Sequence, residues 1–252
     1  MTLVVATLRI YREASVVAAR AFVRSAWAFG LLLVFFPILW FLGVLVAPLG
    51  PLGGLLVSLV HAACAGTYLA TLQDALSVRR SVSIAQIRAN FSRYAGDVLS
   101  VLFPIWILSL LVSLLQLPLV PLLVSIAVAI FFNPAPEMIG RSRTRGLELL
   151  GEAARFMGAN WPEWVVPQVV VLGAAAAVLP GSALGIVALF GPQFGFVQAG
   201  SLVLGGGLGF LGWAFGLLTV AFVHGFMLFR GALYERLSAG GRRGRAWQEH
   251  FR

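Results

Sequence analysis

The sequence predicts an all-α, polytopic membrane protein: six transmembrane helices in three tandem hairpins, each hairpin preceded by a cytoplasmic amphipathic helix. Three observations carry this expectation. Hydrophobic residues fill 60% of the 252 positions and charged residues only 11%, with a mean hydropathy of +0.95. Soluble domains carry roughly 25% charged residues, and no water-soluble fold of this size hides so much apolar surface. The 18 basic residues, all arginine, and the 9 acids fall into four zones: residues 9–24, 74–97, 137–163 and 230–252. The intervening turns, around Pro48, around Pro118 and across residues 182–200, carry no charge. Short loops bearing arginine stay cytoplasmic. Both termini are therefore expected inside, with an even number of crossings.

Taken in order, the N-terminal segment puts Arg9, Glu13, Arg20 and Arg24 on one helical face, with Arg12 beside it. These charges interrupt it too often for a secretory signal, and no small-residue cleavage site follows a short apolar core. A hydrocarbon core takes ~20 helical residues to cross. Crossings are expected near residues 26–46, 53–72, 98–117, 118–132, 165–179 and 202–228, the fourth and fifth being short. Residues 182–200, apolar and glycine-rich, read as a re-entrant or interfacial piece.

Before the second hairpin, Ile84, Ile87, Phe91, Tyr94 and Val98 recur every three or four residues, with Gln86, Asn90, Arg93 and Asp97 on another face. Before the third, Leu147, Leu150, Ala154, Met157 and Trp161 repeat that stripe 63 residues later, opposite Glu148, Glu152 and Arg155. Such helices lie in the headgroup boundary or pack under the spans. Each leads into a span with one proline near its cytoplasmic third: Pro37, Pro104 and Pro167. The chain thus reads as one integral membrane domain of three units, about 1–80, 81–140 and 141–236, with a basic cytoplasmic tail over 237–252.

The stretch FFNPAPEMIG, residues 131–140, closes the second hairpin. Asn133 is expected to cap the next helical turn, with Pro134 or Pro136 at its first position. Glu137 stands four residues before Arg141, the favourable order for a helical ion pair. With Asp74, Arg79, Arg230 and Glu235 these residues form a polar cluster at the cytoplasmic boundary, one acid per unit. A stop signal and a helix cap account for the same residues without any further role.

The segments FFNPAPEMI, EAARFMGANWPEW and FRGALYERL resemble those of bacterial six-span membrane proteins. These include the YciC-like proteins and the membrane domain attached to some glycerophosphodiester phosphodiesterases. The resemblance implies a six-helix membrane fold and no established activity. No phosphodiesterase domain accompanies it, so no enzymatic role is implied.

The chemistry-bearing residues are few. The predicted spans contain no charged group, which argues against a carboxylate-driven pump or a voltage sensor. His61 and His224 are the candidates for heme ligation. They stand at unequal depth, about 20 Å from Asp74 and about 9 Å from Arg230 at the helical rise, so interhelical hydrogen bonding suits them better. One cysteine and three histidines offer no zinc spacing. Ser201 has no histidine and acid arranged near it in the sequence, so a hydrolase triad is unsupported. Gly205 with Gly209, and Gly212 with Gly216, are small-x-x-x-small pairs suited to close helix packing. In the tail, Arg242, Arg243, Arg245 and Trp247 suit contact with lipid headgroups or a partner rather than nucleic acid.

The expected function is that of a non-enzymatic integral protein of the bacterial cytoplasmic (inner) membrane, a structural or accessory subunit of a membrane assembly. It would bind membrane lipid and a protein partner or a second copy of itself, with no catalytic residue, metal or cofactor. The alternative is a transporter, channel or lipid-translocating protein for apolar or neutral cargo.

Overall fold

The computed structural model describes residues 3–77, 82–115, 117, 119–178 and 210–239. Among them there are helices and turns but no strand. The helices are α1 (Leu3–Arg24), α2 (Ala26–Val46), α3 (Pro51–Ser77), α4 (Ile84–Asn90), α5 (Ala95–Leu114), α6 (Val120–Phe131), α7 (Ala135–Met138), α8 (Gly146–Val178) and α9 (Phe210–Ser238). A single 3-10 turn, Ala47–Leu49, joins α2 to α3, and Gly50 follows it at φ 57°, a conformation glycine adopts without penalty.

Four stretches are long and apolar enough to cross a membrane: Ala26–Leu49, Leu52–Ser77, Ala95–Val112 and Gly216–Ser238. The expected fourth crossing, residues 118–132, appears as α6, whose 12 residues span only about 18 Å. The expected fifth, 165–179, is the second half of the longer α8, which begins at Gly146 and kinks at Asn160 (φ −129°, ψ 17°). Residues 182–200, Ser201, Gly205, Gly209, Arg79 and the tail arginines with Trp247 lie outside the described residues.

α3 and α9 are the central helices, with 61% and 67% of their apolar stretches buried against 28% for α2 and 22% for α5. α3 touches α1, α2, α4, α5 and α9, whereas α6 leans mainly on α5 and α8 and buries no residue. α1 runs antiparallel along α9: Ser25, just past its end, meets His224, Phe22 lies over Gly225, and Glu13 pairs with Arg236.

At the end of the bundle where the charges are, the core takes Ala14, Ala18 and Ala21 from α1, and Tyr68, Leu72 and Ala75 from α3. Leu149, Leu150, Ala153 and Met157 of α8 and Leu228, Leu233 and Leu237 of α9 join it there, and it continues along Ala28, Leu32, Phe36 and Leu39 of α2 and Val98, Val101 and Ile105 of α5. The alanine ridge of α1 explains its close approach to α9, because small side chains let helix axes come near.

Both predicted stripes shift in the folded chain. Helix α4 stops at Asn90, and residues 91–94 form a turn with Ser92 at φ 55°. Ile84 and Phe91, assigned to the inward stripe, are exposed, while Asn90, assigned outward, is buried. The reason is polar: Asn90 Nδ2 donates to Asp74 Oδ2 at 2.7 Å, and Ser92 N donates to Thr67 Oγ1 at 2.9 Å. In α8, Leu150 and Met157 of the predicted stripe are buried, but Leu147 and Trp161 are exposed, and Leu149, Ala153 and Trp164 are buried beside them. The kink at Asn160 resets the helical phase, so one stripe cannot run through it.

Candidate functional site

The polar cluster read from the sequence assembles around Arg230, but with partners other than those expected. α7 ends at Met138, and Gly140 turns the chain at φ 75°, so Glu137 and Arg141 no longer share a helix. Glu137 instead takes a two-pronged ion pair from Arg230, Nε to Oε1 at 2.7 Å and Nη2 to Oε2 at 2.9 Å. Arg141 pairs with Glu235 at 3.0 Å and donates to the Gly231 carbonyl at 3.3 Å. Sequence spacing of four residues was overruled by contacts across about ninety residues.

Asn133 does not cap α7, whose N-cap is Pro134 without a side-chain bond. Its side-chain oxygen accepts from the Trp164 indole at 2.7 Å, and its carbonyl accepts from Arg230 Nη2 at 2.6 Å. Arg230 is 1% exposed, and its guanidinium lies 5.4 Å from the Trp164 ring centre and 5.7 Å from that of Phe226. A charge at the end of an apolar helix is thereby neutralised, hydrogen-bonded and covered by aromatic faces. α9 continues beyond the expected crossing, 202–228, past Arg230 to Ser238.

Two further bonds tie neighbouring helices to this cluster. Tyr94 OH donates to Gln73 Oε1 at 3.0 Å, and Gln73 Nε2 donates to the Ile139 carbonyl. Asp74 holds Asn90, as above, and Arg145 pairs with Asp97 at 2.9 Å. A cavity of about 20 Å³ lies beside Leu72, Gln73, Glu137, Arg141 and Gly231. That is room for about one water molecule, not for a substrate.

A second buried network engages His224 in interhelical hydrogen bonds, with partners that the sequence did not name. His224 Nε2 lies 2.9 Å from Ser25 Oγ, and its Nδ1 lies 2.9 Å from Tyr68 OH. All three residues are fully buried. Ser25 Oγ donates its one proton to the Ala21 carbonyl at 2.7 Å. The His224 ring bridges the two hydroxyls, and the trio joins the α1–α2 junction to α3 and α9. Only the pairing of a helix-boundary serine with a mid-helix histidine hinted at it, and 199 residues separate the two.

His61 stands two turns before Tyr68 on α3 and does not meet His224, both of whose ring nitrogens are engaged. Among the described residues no three His, Cys, Asp or Glu side chains group as a metal site. Of the glycine pairs, Gly212 and Gly216 lie on α9, where Gly216 is buried.

No family model, curated protein or solved structure matches the chain.

Proposed function

We propose that this chain is a non-enzymatic integral membrane protein, a structural or accessory subunit of a membrane assembly. One observation carries the reading: three groups of buried polar side chains join helices to one another. Glu137 and Arg230, Trp164 and Asn133, and Ser25, His224 and Tyr68 each form closed contacts. A catalytic or transport site needs polar groups aimed at a space that a ligand can enter.

The finer topology belongs to the same proposal. Six crossings in three hairpins, both termini cytoplasmic and a bacterial inner-membrane location follow from the segregation of arginine and acid. Likeness to the YciC-like proteins fits this layout. The transport alternative rests on the odd-numbered crossings that carry Pro37, Pro104 and Pro167 and on the uncharged residues 182–200, and is tested by flux of neutral solutes or lipid probes in liposomes.

Native mass spectrometry of the chain, extracted from its own membrane in a polymer disc, tests the proposal. A stoichiometric protein partner or a defined homo-oligomer is expected. A solitary chain, whose deletion leaves every membrane complex intact, would refute the accessory role.

A further inference from the structure

Helix α8 changes character at Asn160, where it kinks. Past the kink its exposed described residues carry no charge: Trp161 is 58% exposed, and Val166, Val169 and Val170 face outward after it. Before the kink the helix is buried along one side only, by Leu149, Leu150, Ala153 and Met157. The helical period divides the rest of its surface in two. Next to the core come Ala154, Leu147, Gly158 and Gly151, in that order round the helix. Arg155 follows, and the acids Glu148 and Glu152 stand beyond it. Leu147 is 72% exposed, and a Cβ on Gly151 or Gly158 would meet nothing within 4 Å, so the apolar flank is open.

A packed helix that meets only water is polar over the whole of its outer face. This one is apolar beside the core, basic next and acidic last. The same order of surfaces, acyl chain, phosphate and water, runs across a lipid leaflet, with Arg155 in the place of phosphate contact. Along the chain, exposed charge ends at the kink, and the residue there is a tryptophan. An indole suits a boundary with one apolar and one wet side.

We propose that the first half of α8 rests on the membrane surface, with Leu147 and Trp161 set into the lipid headgroup layer and Arg155 at its phosphates. The proposal rests on the membrane reading above and names a lipid contact within it. The helix packs against the spans by one side and lies on lipid by the next, joining two roles that the sequence left as alternatives.

The test uses the full chain in vesicles of phosphatidylglycerol and brominated phosphatidylcholine, the bromine placed either close to the glycerol or near the chain ends. Tryptophan fluorescence is read as wild type minus Trp161→Phe. It is read again as Leu147→Trp combined with Trp161→Phe, minus Trp161→Phe alone. Both differences should be quenched about twofold more by the shallow bromine than by the deep one. Arg155→Glu should weaken that quenching, and Arg155→Lys should keep it; equal quenching in both variants overturns the part given to Arg155. Quenching by neither bromine overturns the contact, whether aqueous acrylamide then reaches the two positions or a protein shields them. Stronger quenching by the deep bromine overturns it as well, because the helix then lies inside the hydrocarbon. Trp106 of α5, 53% exposed, separates the two readings. If wild type minus Trp106→Phe is quenched by bromine while both α8 signals are not, the α8 contact alone fails. A Trp106 signal quenched by neither bromine refutes the membrane reading itself.

Discussion

The two ends of this bundle are built by different rules. At the charged end, α1, α7, the first half of α8 and the last turns of α3 and α9 pack into a core closed by ion pairs and side-chain hydrogen bonds. At the apolar end, α2, α5 and α6 present Phe41, Leu45, Leu110, Leu114, Leu122 and Leu123 outward, and each is about half exposed or more. On the membrane reading proposed above, water explains the first arrangement and lipid the second. Where the surroundings are aqueous, burying apolar area drives packing; in lipid it drives little, and helices need only satisfy their own backbones. Most of the chain's specificity therefore resides in the end that has the fewest apolar residues.

The sharpest way to break this contrast is to remove one half of the buried pair. Glu137→Ala or Arg230→Ala leaves an uncompensated charge and should cost about 3–5 kcal/mol. Thermal denaturation in a mild detergent would report it. Glu137→Leu combined with Arg230→Met should recover most of the loss, because an apolar pair of similar size removes both charges together. If the single variants melt like wild type, the ion pair does not hold the charged end together.

A smaller effect is expected where α3 meets α5. A Cβ on Gly66 would come 2.6 Å from the Ala95 nitrogen and 2.7 Å from the Tyr94 carbonyl carbon, both backbone atoms that cannot swing aside. Gly66→Ala should cost about 1–3 kcal/mol by the same measurement. Unchanged stability would mean that the turn over residues 91–94 is looser than its contacts imply.

Docking of α1 on the charged end has a titration signature. Burial, then the nearby Glu163 carboxylate, pushes the Tyr11 phenol from its ordinary 10.0 up to about 12. The folded state holds this proton more tightly than the unfolded state. Its contribution is thus complete below about pH 10 and fades as pH rises towards 12. The phenolate absorbance of wild type minus Tyr11→Phe should show the late titration. A Tyr11 ionising at its ordinary value would separate α1 from α8.

The smallest effects belong to the apolar end. Phe41→Ala and Leu122→Ala remove large but outward-facing groups and should shift stability by no more than about 0.5 kcal/mol. A loss of several kcal/mol at either position would reveal a protein neighbour where lipid is expected.

Much of this division was legible in the sequence. Helix α2 runs over the expected residues, 26–46, because an uncharged apolar run between Ser25 and Pro48 leaves few other choices. Gathering of Asn133, Glu137, Arg141, Arg230 and Glu235 was legible too, since each polar residue sits where an apolar run ends. Their pairing was not. A four-residue spacing predicts a helical ion pair only while the helix continues, and Gly140 ends it. The inward faces of α4 and α8 were misread for a related cause. Asn90 is buried because Asp74 reaches it, and nothing local to residues 84–98 announces a partner on α3.

The bond between Glu137 and Arg230 also sets a clock on biogenesis. A ribosome makes the carboxylate 93 residues before the guanidinium, a wait of roughly 5–20 s at ordinary synthesis rates. During that interval the nascent chain carries an unpartnered acid and an unfilled slot beside Trp164. A chain released before its last helix would keep that defect permanently. The last described helix is thus the piece whose arrival neutralises Glu137.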